Sequence, residues 1–240
     1  MGKNKTKLVL ALDNHTEKEV LKFVTTFGPD VDYYKIGLEM FSLSGPKIIQ
    51  KIKKEGMKVF FDGKFHDIPN TVEKAMYAIA KYEPDIVNVH IPGGSTMIAG
   101  ARKGLHNAHK DFGVKEPKLF GVTLLTSIGQ KTLTEELGFE HSVDDLVHRY
   151  TKLAVESKID GIICSPLDVA RVRSDFGDKV EIMTPGIRPM WAEYNDQKRV
   201  MSPAEAVAAG VDYIVIGRPI TAAKDPKKAL KMVRDEMNLK

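Results

Sequence analysis

The chain has 240 residues, of which 42% are hydrophobic and 28% charged, a composition typical of ordinary globular proteins. This length suits one large α/β domain, because a barrel of eight βα units needs about 250 residues. The net charge of +4 is too small to indicate nucleic-acid binding, although it suits anionic small substrates. The single cysteine, Cys164, excludes an intramolecular disulfide and indicates a reducing compartment.

The start of the chain does not read as a targeting segment. The first six residues, MGKNKT, are polar and basic, and the apolar run LVLAL that follows is too short for a signal peptide. No apolar run approaches the roughly 18 residues that a membrane span needs. We therefore expect a cytoplasmic protein that binds neither membrane nor nucleic acid.

Eight short apolar runs alternate with helical patterns along the chain. Near-continuous apolar runs of this length are typical of parallel strands buried on both faces. The predicted strands are 7–13, 32–37, 58–65, 86–92, 119–126, 161–166, 181–187 and 213–219.

Helix signals occur between these runs. Four motifs are typical of helix N-termini: Thr16 with Glu19, Asn70 with Glu73, Ser202-Pro203-x-Glu205 and, more weakly, Ser44-x-Pro46. Eight strand–helix units with no linker or break in composition predict a single-domain (β/α)8 TIM barrel, an α/β fold, over residues 1–240. Two connections, 127–142 and 188–202, are longer than the fold requires, and long loops at one rim often carry function.

In such a barrel the chemistry lies at the carboxyl ends of the strands. Charged groups from four strand ends converge there, and this convergence is the strongest indication of function in the sequence. The residues at these ends are Asp13, Lys35, Asp62, Lys64, His90, Thr126, Ser127, Pro185, Gly186 and Arg218.

The segment FFDGKFHDIPN, residues 60–70, contains the densest charge. Asp62 and Lys64 are two residues apart on a strand, so both should face the barrel axis, with Phe61 and Phe65 facing the helices. Lys35 on the next strand can reach the same place, and Asp67 follows the strand end. This alternating array suits an anionic substrate; a structural ion-pair network closing the barrel top is the alternative.

The last two strand ends have the features of a phosphate site. TPGIRP, residues 184–189, ends the seventh strand and IGRPI, residues 216–220, ends the eighth, where such barrels commonly bind phosphate. Glycine lets backbone N–H groups approach the phosphate, and Arg218 offers a bidentate fork. The alternative is that Gly186 and Gly217 only turn the chain. IPGGST, residues 91–96, is a rival anion site, but no basic side chain lies beside it.

Other chemistry-bearing residues are better explained as structural. His66 and His90 fit no metal-ligand spacing, so we expect hydrogen-bonded structural histidines and no metal site. Cys164 should be a buried strand residue. Trp191, Tyr194 and Gln197 lie in the second long connection, which is either a loop that closes over the site or an exposed surface loop.

Six motifs in order resemble the orotidine 5′-monophosphate decarboxylases of the bacterial type. They are DGKFHDIPNTV, TPGIRP, NDQKRVMSPAEA and IVIGRPI, together with LALD and YKIG at the first two strands. This set spans nearly the whole chain, and its joint occurrence is highly specific, whereas D-x-K-x-x-D alone would be weak. One departure is Gly63, where the family has a bulkier residue such as leucine, and this affects local packing.

The resemblance implies cofactor-free decarboxylation of orotidine 5′-monophosphate to UMP and carbon dioxide, the last step of UMP biosynthesis, by a homodimer with shared active sites. It implies that Lys64 protonates C6 of the pyrimidine, that Asp62 holds Lys64 near the departing carboxylate, and that Lys35 bonds Asp62 and the ribose. The other implied contacts are Asp67, Ile68 and Thr71 in the partner's site, Asp13 on a ribose hydroxyl, Ser127 on the pyrimidine edge, Gln197 bridging base and phosphate, Gly217 and Arg218 on the phosphate, and Thr126, Pro185, Arg188 and, more weakly, Tyr194 as further contacts.

Two alternatives remain open at this point. Magnesium-dependent 3-keto-L-gulonate 6-phosphate decarboxylases and hexulose phosphate synthases share D-x-K-x-x-D and the barrel, but they lack the pyrimidine set of Lys35, Ser127 and Gln197. A catalytically inactive barrel that only binds nucleotide is the second alternative, and the complete array of four charges argues against it.

Overall fold

The protein is described by a computed structural model that covers residues 6–13, 15–192 and 200–238. Its strands form a closed parallel barrel in which each strand pairs with its neighbours in chain order, and β8 pairs with β1. The strands are β1 Lys7–Ala11, β2 Tyr33–Gly37, β3 Val59–Phe65, β4 Ile86–His90, β5 Lys118–Val122, β6 Gly161–Ile163, β7 Glu181–Thr184 and β8 Tyr213–Ile216. The predicted (β/α)8 barrel is confirmed.

Helices surround the barrel, and the longer ones turn an apolar stripe inward. In α1, for example, the buried residues Val20, Val24 and Phe27 recur at the three- and four-residue spacing of one helix face. The helices are α1 Glu17–Phe27, α2 Leu38–Ser44, α3 Lys47–Lys54, α4 Pro69–Ala80, α5 Gly94–Phe112, α6 Val143–Glu156, α7 Val169–Phe176, α8 Pro203–Ala208, α9 Arg218–Thr221 and α10 Pro226–Met237. Within the described ranges, none of them has the length and apolar character needed to cross a membrane.

Two of the four predicted helix starts are confirmed. Thr16 and Ser202 each accept a hydrogen bond from the backbone N–H of a glutamate three residues on, which completes two capping boxes. A helix also begins directly after Ser44-x-Pro46, with Pro46 and not Ser44 as its N-cap residue, whereas the capping box predicted at Asn70 was wrong.

The helix near Asn70 begins at Pro69, because proline is preorganised for a first helical position, so Asn70 lies inside the first turn. Glu73 pairs with Lys103 instead of closing a capping box. Ser44 ends α2, since Gly45, at φ +64°, turns the chain before α3. β2 and β3 end where predicted, whereas the other six strands end two to four residues before their predicted limits, because the loops that leave the barrel top remain apolar.

The barrel axis is filled by layers of side chains from alternate strands, as is usual for this fold. The odd strands contribute Val9, Phe60, Phe120 and Met183 to the central layer. Below it, Tyr33, Ile86 and Tyr213 come from even strands, and Gly161 leaves room for the ring of Phe120, which a Cβ at that position would overlap. The layer above comprises Lys35, Asn88, Ile163 and Val215, so polar side chains replace the apolar filling toward the carboxyl ends of the strands.

The opposite end of the barrel is closed by a polar plug, in which Lys7, Lys118 and Glu181 surround the hydroxyl of Tyr213. The Lys118 ammonium lies 2.6 Å from a Glu181 carboxylate oxygen, and both lysines lie 3.2 Å from the Tyr213 hydroxyl. The ring of Tyr213 also packs edge-on against Phe120. The axis is therefore sealed at its amino-terminal end by satisfied polar groups resting on aromatic rings.

One arrangement recurs four times at this end of the barrel. An aspartate stands immediately before each even strand and accepts, at 2.7 or 2.8 Å, the backbone N–H of the strand before it. Each aspartate also pairs with a basic side chain from a surrounding helix. The four sets, called the aspartate clamps below, are Asp32 with Leu8 and Arg234, Asp85 with Val59 and Lys53, Asp160 with Leu119 and Arg102, and Asp212 with Ile182 and Arg173.

The aspartate clamps should contribute strongly to stability. We expect Asp85→Ala to lower the free energy of unfolding by about 2–3 kcal/mol, because it leaves the buried N–H of Val59 without its charged acceptor. The measurement is urea unfolding at neutral pH. Asp178→Ala is the control, since Asp178 is exposed and lies 3.8 Å from its arginine partner. Equal losses in the two variants would contradict the role of the clamp.

Candidate active site

Two lysine ammonium groups meet at one buried carboxylate at the carboxyl end of the barrel. The Lys64 ammonium donates to both oxygens of Asp62, at 2.7 and 2.8 Å. The Lys35 ammonium lies 3.5 Å from the other side of the same carboxylate and donates to both oxygens of Asp13 at 2.9 Å. Asp62 and Lys35 are buried. Lys35, Asp62 and Lys64 of the predicted array thus meet, and Asp13 extends the alternation of charge on the Lys35 side.

Strand alternation places these side chains, as the sequence predicted. Asp62 faces the axis, whereas Phe61 and Phe65 face the helices and their rings lie 5.9 Å apart, edge to face. Gly63 points outward between them. A Cβ at Gly63 would lie 2.8 Å from atoms of both rings, so the two phenylalanines occupy the space that a larger residue would need.

Lys64 sits in an irregular part of β3. The pairing between β3 and β4 shifts register between Phe61 and Phe65, and Lys64 has a φ of +46°. A lysine in this left-handed region costs of the order of 1–3 kcal/mol, and such strain persists only where surrounding contacts enforce it. The Lys64 side chain therefore extends into the cavity from an irregular, strained backbone.

Two residues that support the array escaped the sequence analysis. Asn88, on β4, donates to Asp62 Oδ1 at 2.7 Å and accepts the backbone N–H of Lys64 at 2.8 Å. A Cβ at Gly37 would lie 2.8 Å from Asp13 Oδ1 and 3.1 Å from the Lys35 ammonium, so glycine makes space for this ion pair. The sequence did contain a signal for Asn88, which is a polar residue within the apolar strand IVNVH. It contained no signal for the role of Gly37.

The array sets the charge state of Asp62. Burial alone would raise the pKa of this carboxyl, but the cations of Lys35 and Lys64, with hydrogen bonds from Lys64 and Asn88, hold its pKa below its ordinary value. Beside the array, the rings of His66 and His90 lie 5.4 Å apart. Burial, followed by the charges of His66 and Lys64, lowers the pKa of His90 and favours its neutral form.

A cavity of about 440 Å³ opens above the array. The side chains of Asp13, Lys35, Asp62 and Lys64 form one part of its wall. Most of the rest comes from the loops after β7 and β8, where the sequence predicted a phosphate site. These loop residues are Pro185, Gly186, Ile187, Arg188, Gly217, Arg218 and Pro219. The structure thus brings the predicted phosphate residues and the array to one cavity.

A second cavity of about 170 Å³ continues from the first past Lys64 and Pro185. It shares the charged floor, but most of its wall is apolar, with side chains from the central layers of the barrel. The residues that only this cavity adds are Phe60, Val122, Leu124, Leu125, Thr126, Ile163 and Met183. A flat, weakly polar ring bound here would lie against the ammonium of Lys64.

Some predicted site residues lie elsewhere. Asp67, Ile68, Thr71 and Ser127 are exposed and line neither cavity of their own chain. Gln197 and Tyr194 fall outside the described residues.

The remaining motifs have structural places. The segment around Gly93 and Gly94 forms a 3₁₀ turn leading into α5. Cys164 is buried, as predicted, but it follows the end of β6 instead of lying within a strand; burial raises the pKa of its thiol. In residues 6–13, 15–192 and 200–238, no group of three or more His, Cys, Asp or Glu side chains is arranged to hold a metal ion.

Comparison with known proteins identifies the family. The model of the orotidine 5′-phosphate decarboxylase / HUMPS family matches residues 6–233. The chain belongs to this family. The match includes every strand of the barrel and all the residues of both cavities.

Individual relatives of this decarboxylase family agree along nearly the full length. The chain is 42% identical over 234 residues to the orotidine 5′-phosphate decarboxylase of Trichlorobacter lovleyi, covering 97% of this chain and 95% of that protein. It is 42% identical over 231 residues to the enzyme of Saccharophagus degradans, covering 96% and 94%. The crystal structure of the orotidine 5′-phosphate decarboxylase from Lactobacillus acidophilus superposes with a TM-score of 0.85 at 38% identity, covering 98% of this chain and all of that one. The resemblance inferred from the motifs is confirmed.

The contact of Gly63 with two phenylalanine rings gives a test of local packing. We expect Gly63→Ala to lower the free energy of unfolding by about 1–3 kcal/mol, because the added methyl group overlaps the rings of Phe61 and Phe65. Urea unfolding of Gly63→Ala, Phe65→Leu and the double variant measures the coupling. The double variant should lose less than the sum of the single losses. Additive losses would show that the rings do not restrict this position.

Proposed function

We propose that this protein decarboxylates orotidine 5′-monophosphate to UMP and carbon dioxide, the last step of de novo UMP biosynthesis, and that it does so without a cofactor. One observation carries the proposal: a lysine ammonium, held by a buried aspartate, forms the floor of a cavity whose opposite wall suits a phosphate. Membership of the orotidine 5′-phosphate decarboxylase / HUMPS family supports it.

The ammonium of Lys64 meets the main chemical demand of this reaction. Loss of carbon dioxide leaves an electron pair on C6 in the plane of the pyrimidine ring, where the ring cannot delocalise it. A fixed cation directed at C6 stabilises this charge and needs little reorganisation, since Asp62 already holds it. The same ammonium then donates a proton to C6, which gives UMP.

Asp62 and Lys35 prepare the site for that step. Asp62 fixes the Lys64 ammonium and lies beside the departing carboxylate, while Lys35 joins Asp62 to Asp13. Lys35 and Asp13 bind ribose hydroxyls in this proposal, because both line the cavity between the array and the phosphate wall. The carboxylate oxygens of Asp13 and Asp62 accept hydrogen bonds from lysine ammonium groups. This arrangement supports a reaction in which ammonium groups supply the stabilising charge.

Binding of the phosphate uses the far wall of the cavity. Arg188 and Arg218 supply positive charge, and the loops at Pro185 and Gly217 let the backbone approach the phosphate oxygens. The pyrimidine occupies the apolar second cavity, where Thr126 contacts it. Ser127 on the pyrimidine edge and Gln197 bridging base and phosphate complete the substrate contacts proposed.

Phosphate contacts help catalysis although they lie away from C6. Binding energy from a remote, unreactive group can offset the cost of ordering the reacting groups, so that it lowers the barrier as well as the Michaelis constant.

A homodimer with shared sites completes the proposal. Three predicted site residues come soon after β3, the strand that carries Asp62 and Lys64. They are Asp67, Ile68 and Thr71, and all three are exposed to solvent in a single chain. Ile68 is 66% exposed, so its apolar side chain is available for contact with a second subunit. In this proposal these residues enter the site of the partner subunit, where Asp67 is the fourth charge of the predicted Lys35–Asp62–Lys64–Asp67 array.

Decarboxylation by metal-stripped protein tests the function directly. In excess EDTA, the protein should convert orotidine 5′-monophosphate to UMP, as followed by the change in ultraviolet absorbance. Lys64→Ala should lower turnover at least about 10⁴-fold, because both charge stabilisation and proton donation are lost, while UMP binding by calorimetry persists.

Two results would contradict this proposal. Activity that disappears with the chelator and returns with magnesium would favour the sugar-phosphate enzymes of the same barrel type. Turnover of Lys64→Ala near the wild-type rate would refute the proton-donor assignment. Lys54→Ala is the control for loss of a lysine, since Lys54 is exposed on α3.

Shared sites predict complementation between inactive chains. Lys64→Ala and Asp67→Ala should each be inactive, but a hybrid dimer contains one site with both residues intact. Mixing equal amounts after partial unfolding should therefore restore about a quarter of wild-type activity, if the chains pair at random. Differently tagged chains allow the hybrids to be isolated and assayed. Isolated hybrids without activity would indicate that each site lies within one chain.

A further inference from the structure

Asn88 joins the two residues at the centre of the array. Its side-chain N–H donates to Asp62 Oδ1 at 2.7 Å, and its side-chain oxygen accepts the backbone N–H of Lys64 at 2.8 Å. The partners fix this orientation of the amide, because a backbone N–H can only donate and a carboxylate can only accept. A single side chain on β4 thus holds the carboxylate of one β3 residue and the main chain of another.

Asn88 cannot act on a substrate directly. It has no exposed surface and lines neither of the two cavities. Any effect of Asn88 on the reaction must therefore pass through Asp62 or Lys64.

The amide suits this place better than other small side chains. The regular pairing of β3 with β4 is interrupted between Phe61 and Phe65, and Asn88 accepts the Lys64 N–H inside that gap. Its acceptor stabilises Lys64 at φ +46°, and its donor satisfies a buried carboxylate. Aspartate offers no donor when ionised, and leucine, of similar size, offers neither group.

We propose that Asn88 is a positioning residue, whose two hydrogen bonds hold Asp62 and the strained Lys64 backbone so that the Lys64 ammonium points into the cavity. This inference rests on the proposed function for its effect on turnover, but its effect on Asp62 does not depend on any reaction. A shift of the ammonium by about 1 Å costs roughly 100-fold in rate for reactions that depend on alignment. Loss of Asn88 should cause a loss of that size.

The charge of Asp62 provides an independent readout. Charged and titratable groups face it from three strands: Lys35 on β2, Lys64 on β3 and His90 on β4, with Asp13 next to Lys35. Because the Asn88 donor favours the ionised form, its removal should raise the pKa of Asp62. Any dependence of activity on ionised Asp62 then moves to higher pH.

The test compares Asn88→Ala and Asn88→Asp with the wild type. Asn88→Asp keeps an oxygen for the Lys64 N–H but places a second carboxylate against Asp62 in place of the donor, so it spares one hydrogen bond and breaks the other. Both variants should lose about 100-fold in kcat for orotidine 5′-monophosphate, with UMP affinity within about threefold of wild type. The acid limb of the kcat/KM profile should move to higher pH in Asn88→Ala.

Val89→Ala is the matched control. Val89 follows Asn88 on β4 and is equally buried, but it faces the helices, so its truncation destabilises the barrel without touching the array. Val89→Ala should lower the thermal midpoint at least as much as Asn88→Ala and leave kcat and the acid limb unchanged.

The outcomes separate this inference from the proposed function. Asn88→Ala with kcat within about threefold of wild type, or a loss equal to that of Val89→Ala, would overturn the positioning role. Carbon-13 NMR titration of the Asp62 carboxyl, assigned with Asp62→Asn, needs no substrate. If the wild type does not decarboxylate orotidine 5′-monophosphate, the function fails, yet an upward shift of the Asp62 pKa in Asn88→Ala would still support the hydrogen bond inferred here. An unchanged Asp62 pKa would refute it.

Discussion

The buried carboxylate of Asp62 is the constraint on which the site depends. A single carboxylate in an apolar barrel would be neutral, because desolvation penalises its charge. Two ammonium groups and one amide keep it ionised, and each comes from a different place: β2, the irregular end of β3, and β4. Lys35 can reach it because Gly37 leaves space for the ion pair with Asp13. These three strands are neighbours in the sheet, and closure of the barrel brings their carboxyl ends to one cavity with the loops after β7 and β8.

The sequence predicted the parts of the structure that follow from periodicity and strand direction. Alternation along residues 60–65 placed Asp62 inward and Phe61 outward, and chain order placed Lys35 beside them. The glycine and arginine motifs of the last two strands met in one cavity because all parallel strands end at the same rim. Strand alternation and strand order can both be read along the chain, so a single sequence was enough to predict these features.

Features that depend on the third dimension were not predictable in the same way. The left-handed Lys64 and the role of Asn88 arise from a register shift between two strands, which leaves no periodic signature. The capping box expected at Asn70 failed because Pro69 competes as a helix start. The aspartate clamps left a trace in VDYY, PDIV, IDGI and VDYI, residues 31–34, 84–87, 159–162 and 211–214, but that repeat becomes meaningful only once the backbone partners are known.

The filled axis of the barrel also determines the route by which small molecules enter and leave the site. Below Lys35 and Asp62, the rings of Phe60, Phe120 and Tyr213 occupy the interior, and the lysine and glutamate plug closes its far end. In the proposed reaction, a gas molecule released at Lys64 thus has no passage through the barrel. Carbon dioxide must leave through the mouth by which the nucleotide entered, so escape of the gas and retention of UMP compete for one opening.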